Sequence, residues 1–324
     1  MGRCRSSSSG GRWHGAPASA TLVLLTRVRV LAVIVALCVA AGTAGASGTR
    51  DLSSYDGLGT WLDIYDHANW RDPQTAVNTM AAHGVKTLYL ETSNSRQPTD
   101  LVRPAQLAGL VDAAHAVGLR VVAWYLPTLV YPARDLRRVL AAVRFTTSSG
   151  GRFDSFALDI EASDVRSVTL RNRRLTELAA ALRTAVGPAY PLGAIVPSAV
   201  GMELHPDYWP RFPYATLRQS FDVFMPMAYF TYRAKGRGAS ARYVMRSVAL
   251  LRAAAGPDVR VHVIGGVASY ASTADVTGFM DAVTRCAPVG YSLYDFPITS
   301  ASAWAALARG PGTTRGACSA PPIT

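Results

Sequence analysis

A short apolar or β-branched run followed by an amphipathic Ala/Leu/Val-rich segment recurs eight times between residues 50 and 309. The short runs have the length and residue types of buried strands, and the longer segments have helical periodicity. Eight such units predict a single (β/α)8 TIM barrel of the α/β class. The predicted strands are 60–66, 87–92, 120–126, 155–161, 191–196, 223–230, 260–265 and 291–294. The predicted helices are 74–83, 104–117, 134–146, 172–186, 214–220 (a poor segment), 241–255, 273–286 and 301–308.

Glycine marks several of the returns from helix to strand. Gly84, Gly118 and Gly187 each follow a predicted helix, which is typical of a helix C-terminus. An open doubly wound sheet is the competing architecture, but it usually carries a glycine-rich phosphate turn after its first strand, and this chain has none. We therefore expect one domain over 50–309, followed by a Gly/Pro-rich tail over 310–324.

The segment before this domain has the pattern of an export signal. Arg27 and Arg29 precede an apolar run over 30–41, and residues 44–46 match an A-x-A cleavage site. We expect residues 1–46 to be a signal peptide and the protein to be secreted, with an uncleaved membrane anchor as the alternative. Cys286 and Cys318 then remain, and export favours a disulfide that attaches the tail to the body. Two unrelated thiols are the other possibility.

Charge and motif spacing exclude several classes of function. Of the formal charge of +12, five arginines lie within residues 1–46, and the remaining basic residues are scattered without a zinc-finger or RNP-type motif. The histidines lack H-x-H or H-E-x-x-H spacing, and no G-x-S-x-G occurs. We expect a monomer that binds carbohydrate and needs no cofactor or metal. We expect no nucleic-acid partner and no membrane span in the mature form.

Carboxylates are concentrated where the predicted strands end, which is the end that carries the active site in (β/α)8 barrels. Burying several unpaired acids in a structural core would be costly, so inward acids indicate function. The pair Asp159 and Glu161, at i and i+2 on strand 4, is the strongest candidate. Strand alternation predicts that the following also point inward: Trp61, Asp63, Tyr65, Tyr89, Glu91 and Ala157. On strand 6, Met225, Met227 and Tyr229 share one side. Helix caps or arginine partners would explain Asp66, Asp154, Asp222 and Asp295 equally well.

Aromatic residues fall late in the strands or in the loops on the same side. Flat aromatic faces stack on sugar rings, and carboxylates and Tyr hydroxyls bind sugar hydroxyls, so the set favours a glycan groove. Trp124 is the member that is compatible with facing the helices instead. The set comprises Trp61, Tyr65, Trp70, Trp124, Tyr125, Tyr131, Tyr208, Trp209, Tyr229, Tyr232 and Tyr294.

The segment over 153–161, F-D-S-F-A-L-D-I-E, resembles the strand-4 signature D-x-x-D-x-D-x-E of family 18 glycoside hydrolases, the chitinases and their relatives. Asp154, Asp159 and Glu161 take the first, third and last acidic places, and Ala157 stands at the second. The overall pattern, over roughly 56–300, is more similar to uncharacterised bacterial glycosyl hydrolase barrels distantly related to the chitinases.

Two further strands extend the resemblance. Residues 225–230, M-P-M-A-Y-F, are similar to the family's M-x-Y-D, with Met227 and Tyr229 matching and Phe230 in place of the Asp. Tyr294 stands where the family often has a strand-8 Trp. The family's strand-3 S-x-G-G is absent from 121–127.

The resemblance implies a glycosidase that acts on a polysaccharide or peptidoglycan-like glycan containing N-acetyl sugars. Glu161 would be the general acid, Asp159 would orient a substrate N-acetyl group as internal nucleophile, and Tyr229 would bind its carbonyl. The residues expected to bind substrate are Trp61, Asp63, Tyr65, Glu91, Tyr125, Met227, Tyr232 and Tyr294.

Alternatives from the residues themselves stay open. Glu91 or Asp63 would be the second carboxylate of a conventional pair with Glu161, whereas a strand-7 nucleophile is excluded because 263–267 contains no carboxylate. A catalytically inactive glycan-binding barrel is favoured by Ala157 and Phe230. A structural or adhesive secreted protein is favoured only by the positive charge.

Overall fold

Eight parallel strands, hydrogen-bonded in sequence order, close into a barrel in which the eighth strand pairs with the first. The structure, a computed structural model, describes residues 50–313 and 317–321. The strands are β1 Gly57–Leu62, β2 Thr87–Asn94, β3 Arg120–Leu126, β4 Ser155–Asp159, β5 Leu192–Pro197, β6 Val223–Met227, β7 Arg260–Val267 and β8 Gly290–Tyr294. The predicted (β/α)8 fold is confirmed. The predicted signal peptide lies outside the described residues.

Ten α-helices surround the barrel in the described part of the chain. They are α1 His67–Arg71, α2 Pro73–Ala82, α3 Pro104–Ala116, α4 Pro132–Val143, α5 Val168–Val186, α6 Ala199–Leu204, α7 Tyr214–Leu217, α8 Arg237–Ala255, α9 Thr273–Cys286 and α10 Ala301–Leu307. Proline begins α2, α3 and α4, where its fixed φ suits the first turn and its missing N–H costs nothing. The short helices α1 and α6 were not predicted. Between residues 50 and 313 and over 317–321, no helix is both long and apolar enough to cross a bilayer.

Two glycines that follow helices have the left-handed backbone conformation that the sequence pattern predicted. Gly84 and Gly118 have φ of 79° and 78°. Any other residue would be strained there, so glycine fixes where α2 and α3 turn back toward β2 and β3.

Strand alternation sorts the core into two layers. The larger cluster packs the outer faces of the strands against the helices, with Leu88, Phe156 and Val263 among its fully buried members. The smaller cluster fills the inside of the barrel and includes Trp61 and Tyr89. The inward direction predicted for both residues agrees with the structure.

A network of hydrogen bonds inside the barrel positions Trp61. His262 Nδ1 lies 3.0 Å from the Tyr89 hydroxyl and 2.9 Å from the Tyr55 carbonyl oxygen, and its Nε2 lies 3.0 Å from the Ser292 hydroxyl. Trp61 Nε1 donates to the same Ser292 oxygen at 2.9 Å. Burial lowers the pKa of His262 to about 4, so the ring is neutral at pH 7. The network thereby fixes the orientation of the Trp61 indole.

Acids at the starts of strands have structural partners. Asp154 accepts from the Val121 N–H at 2.8 Å and lies 2.9 Å from His115 Nε2, and Asp222 accepts from Arg183 at 2.7 Å. Both lie at the end of the barrel that provides stability rather than chemistry. Asp154 therefore fills a structural role, although it matches the first acidic place of the family signature.

Cys286 at the end of α9 and Cys318 in the tail form a disulfide. They are 32 residues apart, so on the chain-entropy model the bond should stabilise the fold by about 3–4 kcal/mol. We expect the double variant Cys286→Ala/Cys318→Ala to lose that amount in denaturant unfolding. Reduction of the wild type should reproduce the loss. Free thiols at Cys286 and Cys318 in unreduced, unfolded wild-type protein, distinguished by peptide mapping from those of Cys4 and Cys38, would contradict the bond.

Candidate active site

The carboxyl ends of the strands surround a cavity of about 750 Å³. Its charged lining is strongly unbalanced, since five carboxylates and a single arginine contribute to it. The acids are Asp63, Glu91, Asp159, Glu161 and Asp164, and the arginine is Arg96. Acids collected in one concave space, where mutual repulsion costs energy, favour a functional rather than a structural role.

The acidic pair predicted on strand 4 projects into this cavity. Asp159 is the last residue of β4 and is only 8% exposed, and within the described chain its Oδ1 has no hydrogen-bond partner. Burial raises the pKa of Asp159 well above its usual value, and the charges of Glu161 and Glu91 raise it further. An unsatisfied buried acceptor at a cavity wall is costly unless a ligand satisfies it.

Glu161 follows two residues later at the rim, where its side chain is more exposed. Partial removal of its carboxyl from water raises its pKa. The Tyr208 hydroxyl donates to the Glu161 carbonyl oxygen at 2.5 Å, which ties the end of β4 to the loop after α6. The raised pKa favours the protonated form of this carboxyl more than in a fully exposed glutamate.

Tyr229 lies just beyond β6, followed by a short 3₁₀ turn over Phe230–Tyr232. Burial raises the pKa of the Tyr229 hydroxyl well above its usual value, with the negative charges of Asp159 and Glu161 next in effect. The hydroxyl therefore remains a hydrogen-bond donor beside two carboxylates. Phe230 is fully buried in the outer layer near Phe279, so its side chain is not part of the cavity lining.

Glu91 forms another wall and is only 3% exposed. Its Oε2 accepts from the Ile64 N–H at 3.0 Å, and its Oε1 accepts from Asn94 Nδ2 at 3.0 Å. Burial raises the pKa of Glu91 to about 7, although these two hydrogen bonds lower it. Asn94 also donates to the Tyr65 hydroxyl at 3.1 Å, so one amide positions both an acid and an aromatic side chain.

The floor of the cavity is aromatic. Trp61 stacks on Tyr89 with 4.3 Å between ring centroids and meets the edge of Trp124 at 6.0 Å. Tyr294 lies 6.4 Å from Trp61 and donates its hydroxyl to Asp63 Oδ2 at 2.8 Å. This floor offers apolar ring faces bordered by polar groups, which suits the two faces of a sugar.

Asp66 and Asp295, which lie outside the cavity lining, also have raised pKa values. Burial, helped by the charge of Asp63, raises the pKa of Asp66 to about 6. Burial likewise raises the pKa of Asp295 to about 7, with further contributions from Asp66 and Asp63. The sequence left open that an arginine partner explains these two acids. None of the ion pairs among the described residues includes either of them.

The structure brings ten of the eleven predicted catalytic and substrate-binding residues to the cavity. The roles assigned to them stay predictions. The ten are Trp61, Asp63, Tyr65, Glu91, Asp159, Glu161, Met227, Tyr229, Tyr232 and Tyr294.

The prediction for Tyr125 was wrong. Tyr125 is fully buried on the outer face of β3, where its hydroxyl donates to Asp135 Oδ1 of α4 at 2.7 Å. Its neighbour Trp124 takes the inward position and lines the cavity. Residues 121–125 are all apolar or aromatic, so no polar residue fixed which alternate set faced inward.

Six polar lining residues were not predicted at all, namely Asn94, Ser95, Arg96, Thr128, Ser163 and Asp164. Asn94 belongs to an extension of β2 past a register shift between Glu91 and Ser93, which returns a polar side chain to the cavity. Tyr208, from the aromatic set, lines the cavity, whereas Trp70, Tyr131 and Trp209 do not.

Comparison with known proteins places the fold. Solved structures match with TM-scores of 0.60 for the spore cortex-lytic enzyme SleL of Bacillus cereus, 0.56 for an endo-β-1,4-mannanase of Thermotoga petrophila and 0.54 for a class V chitinase of Pseudomonas fluorescens. The Bacillus enzyme is 8% identical over 81% of this chain and 75% of its own. The Thermotoga mannanase is 9% identical over 75% of this chain and 68% of its own. The Pseudomonas chitinase is 12% identical over 78% of this chain and 98% of its own. No protein-family model and no curated protein matches the sequence. The chain thus has the (β/α)8 barrel fold shared by family 18 chitinases and related barrel glycosidases.

Proposed function

We propose that this protein is a secreted, monomeric glycoside hydrolase that cleaves a glycan containing N-acetyl sugars, with Glu161 as the general acid. The observation that carries the proposal is the pair at the end of β4. Asp159 is buried with an unsatisfied oxygen, and Glu161 stands two residues away with a raised pKa. A general acid must be protonated near the working pH, and a raised pKa serves that need.

Substrate assistance fits the groups beside Glu161. An acetamide N–H would satisfy the free Asp159 Oδ1, and the Tyr229 hydroxyl would donate to the acetamide carbonyl. Glu161 would then protonate the leaving glycosidic oxygen while the carbonyl oxygen attacks the anomeric carbon. Water would later open the cyclic intermediate as Glu161 takes back a proton, which gives net retention.

The aromatic floor supports a sugar in this position. Trp61 and Trp124 line the cavity together with the carboxylates, as do Met227 and Tyr294. Solved structures with this fold include a cortex-lytic enzyme, a chitinase and a mannanase, all of which are named for action on glycans. These names support a glycan substrate.

A conventional two-carboxylate mechanism is the second candidate, because Glu91 is buried in the same cavity with a pKa raised to about 7. Glu91 would then act as nucleophile or base opposite Glu161. Against this role, both Glu91 oxygens already accept hydrogen bonds, from Ile64 and Asn94. A glycan-binding barrel without activity also remains a candidate, since Ala157 leaves the barrel interior below Asp159 apolar.

The direct test incubates the purified protein with insoluble chitin, peptidoglycan, mannan and a neutral glucan, and measures reducing ends. Glu161→Gln protein, prepared in parallel, controls for contaminating glycosidases. Release of reducing ends from an N-acetylated glycan by the wild type alone supports the proposal. Sedimentation with a glycan but no release from any of the four would instead support a binding protein.

A further inference from the structure

Three carboxylates converge where the loop after β1 meets the end of β8. Asp63, Asp66 and Asp295 each place one oxygen within 4.8 Å of the others. They are up to 232 residues apart in sequence but adjacent in space, because β8 pairs with β1 to close the barrel. The closing seam of the barrel thus gathers three formal negative charges in a small volume.

Little in the described residues offsets this charge. Asp63 accepts from the Tyr294 hydroxyl at 2.8 Å and the Tyr65 N–H at 2.7 Å, and Asp66 accepts from the Asp63 N–H at 3.0 Å. All of these donors are neutral, and none of the described ion pairs includes a member of the cluster.

Asp295 provides a separate indication of a ligand. It is only 5% exposed, and within the described chain its Oδ1 is buried without a hydrogen-bond partner. A buried carboxylate oxygen beside two other carboxylates destabilises the fold unless a positive charge lies next to it.

We propose that Asp63, Asp66 and Asp295 bind a divalent hard cation, with Ca²⁺ the best fit. The donor set is made of oxygen alone, which suits Ca²⁺ or Mg²⁺ rather than zinc or copper. The three oxygens lie within 4.8 Å of one another, close enough to share one ion. Ca²⁺ accepts irregular coordination by several protein carboxylates, whereas Mg²⁺ demands near-octahedral geometry and usually keeps several waters, so this set favours Ca²⁺. Water would complete the coordination. The sequence motifs considered above, H-x-H and H-E-x-x-H, depend on histidine. They therefore could not indicate a site made of carboxylates alone.

A cation bound to this cluster would be connected to the cavity by Asp63, which belongs to both. That carboxylate accepts from the Tyr294 hydroxyl, and both residues line the cavity. The bound ion would therefore fix the seam between β1 and β8 and hold the Tyr294 ring against the floor.

The test measures binding and stability rather than hydrolysis. Protein stripped with chelator and desalted is titrated with CaCl₂ by calorimetry and unfolded thermally. At 100 times Kd, the ion should raise the unfolding midpoint of the wild type by roughly 5 °C. Asp295→Asn should abolish both the binding heat and the shift. The matched variant Asp164→Asn, an exposed cavity acid outside the cluster, should keep both.

Folding of the variant is checked in chelator, where Asp295→Asn should be at least as stable as the wild type because it removes repulsion. Asp66→Asn provides a second variant if Asp295→Asn fails to fold. The proposal is overturned if neither CaCl₂ nor MgCl₂ gives a saturable heat, or if NaCl of equal ionic strength produces the same shift. It is also overturned if Asp295→Asn or Asp66→Asn folds and retains the response.

Discussion

Glu161→Gln is expected to lower the turnover number on the cleaved glycan by about 10²–10⁴-fold while leaving its dissociation constant nearly unchanged. The amide keeps the size and the hydrogen-bonding shape of the carboxyl at the end of β4 but has no proton to give. Turnover is measured as reducing ends released under saturating substrate, and binding by sedimentation with the same glycan.

Glu177→Gln on α5 is the matched control, because it makes the same chemical change on an exposed helix surface beside Arg173. Its turnover should equal that of the wild type. If Glu161→Gln kept wild-type turnover, Glu161 would not be the proton donor. If it lost binding as well, the substitution would have disturbed the cavity rather than the chemistry.

The pH profile gives the same assignment a second readout. Glu161 acts only when protonated, so turnover should fall as pH rises through its pKa, which partial burial raises above 4.5. Residual turnover of Glu161→Gln should lack that alkaline limb. Because Glu91 has a pKa raised to about 7, a second limb near that pH that disappears in Glu91→Gln would mark Glu91 as a participant.

Strand 4 shows how much of the site the sequence could predict. Phe156, Leu158 and Ile160 are apolar, so the alternate residues Asp159 and Glu161 had to face the other side. The barrel rule then identified that end of the strand as the functional one. Period-two alternation with a polar residue in one set is therefore enough to locate a side chain.

Strand 3 shows where the same reasoning fails. Val121 to Tyr125 are apolar or aromatic on both faces, as buried parallel strands usually are, so the inward set could not be chosen. In the structure Tyr125 faces outward and donates a hydrogen bond to Asp135, a buried acid on a helix ten residues later. Only the packing of α4 on β3 reveals it.

The cluster of Asp63, Asp66 and Asp295 was hidden for a different reason. Asp66 and Asp295, each taken alone, are equally well explained as caps or ion-pair partners, and Asp63 was assigned to the substrate-binding set. Nothing local separates these cases from a shared site. What separates them is the closure of the barrel, which joins residues from opposite ends of the domain. The extension of β2 that carries Asn94 is likewise a tertiary effect, since it follows a register shift against β3.

Dependence on the substrate's N-acetyl group separates the two mechanisms. If the acetamide is the nucleophile, deacetylation of the glycan should lower turnover by as much as the loss of Glu161, and Asp159→Asn should cost about 10²-fold or more. A thiazoline that mimics the cyclised intermediate should bind at least ~10²-fold more tightly than substrate. Asp258→Asn, the same chemical change at an exposed position beside Arg218 and outside the cavity lining, should leave turnover and thiazoline affinity near those of the wild type.

A conventional mechanism with Glu91 as the second carboxylate predicts the opposite results. If Glu91 is the second carboxylate, a neutral glucan or mannan should be cleaved as well as an N-acetylated glycan, and the thiazoline should have little effect. Glu91→Ala would then cost as much turnover as Glu161→Gln. We expect the first outcome, because Asp159 has a buried oxygen free to accept from an acetamide, whereas both oxygens of Glu91 are already engaged by Ile64 and Asn94.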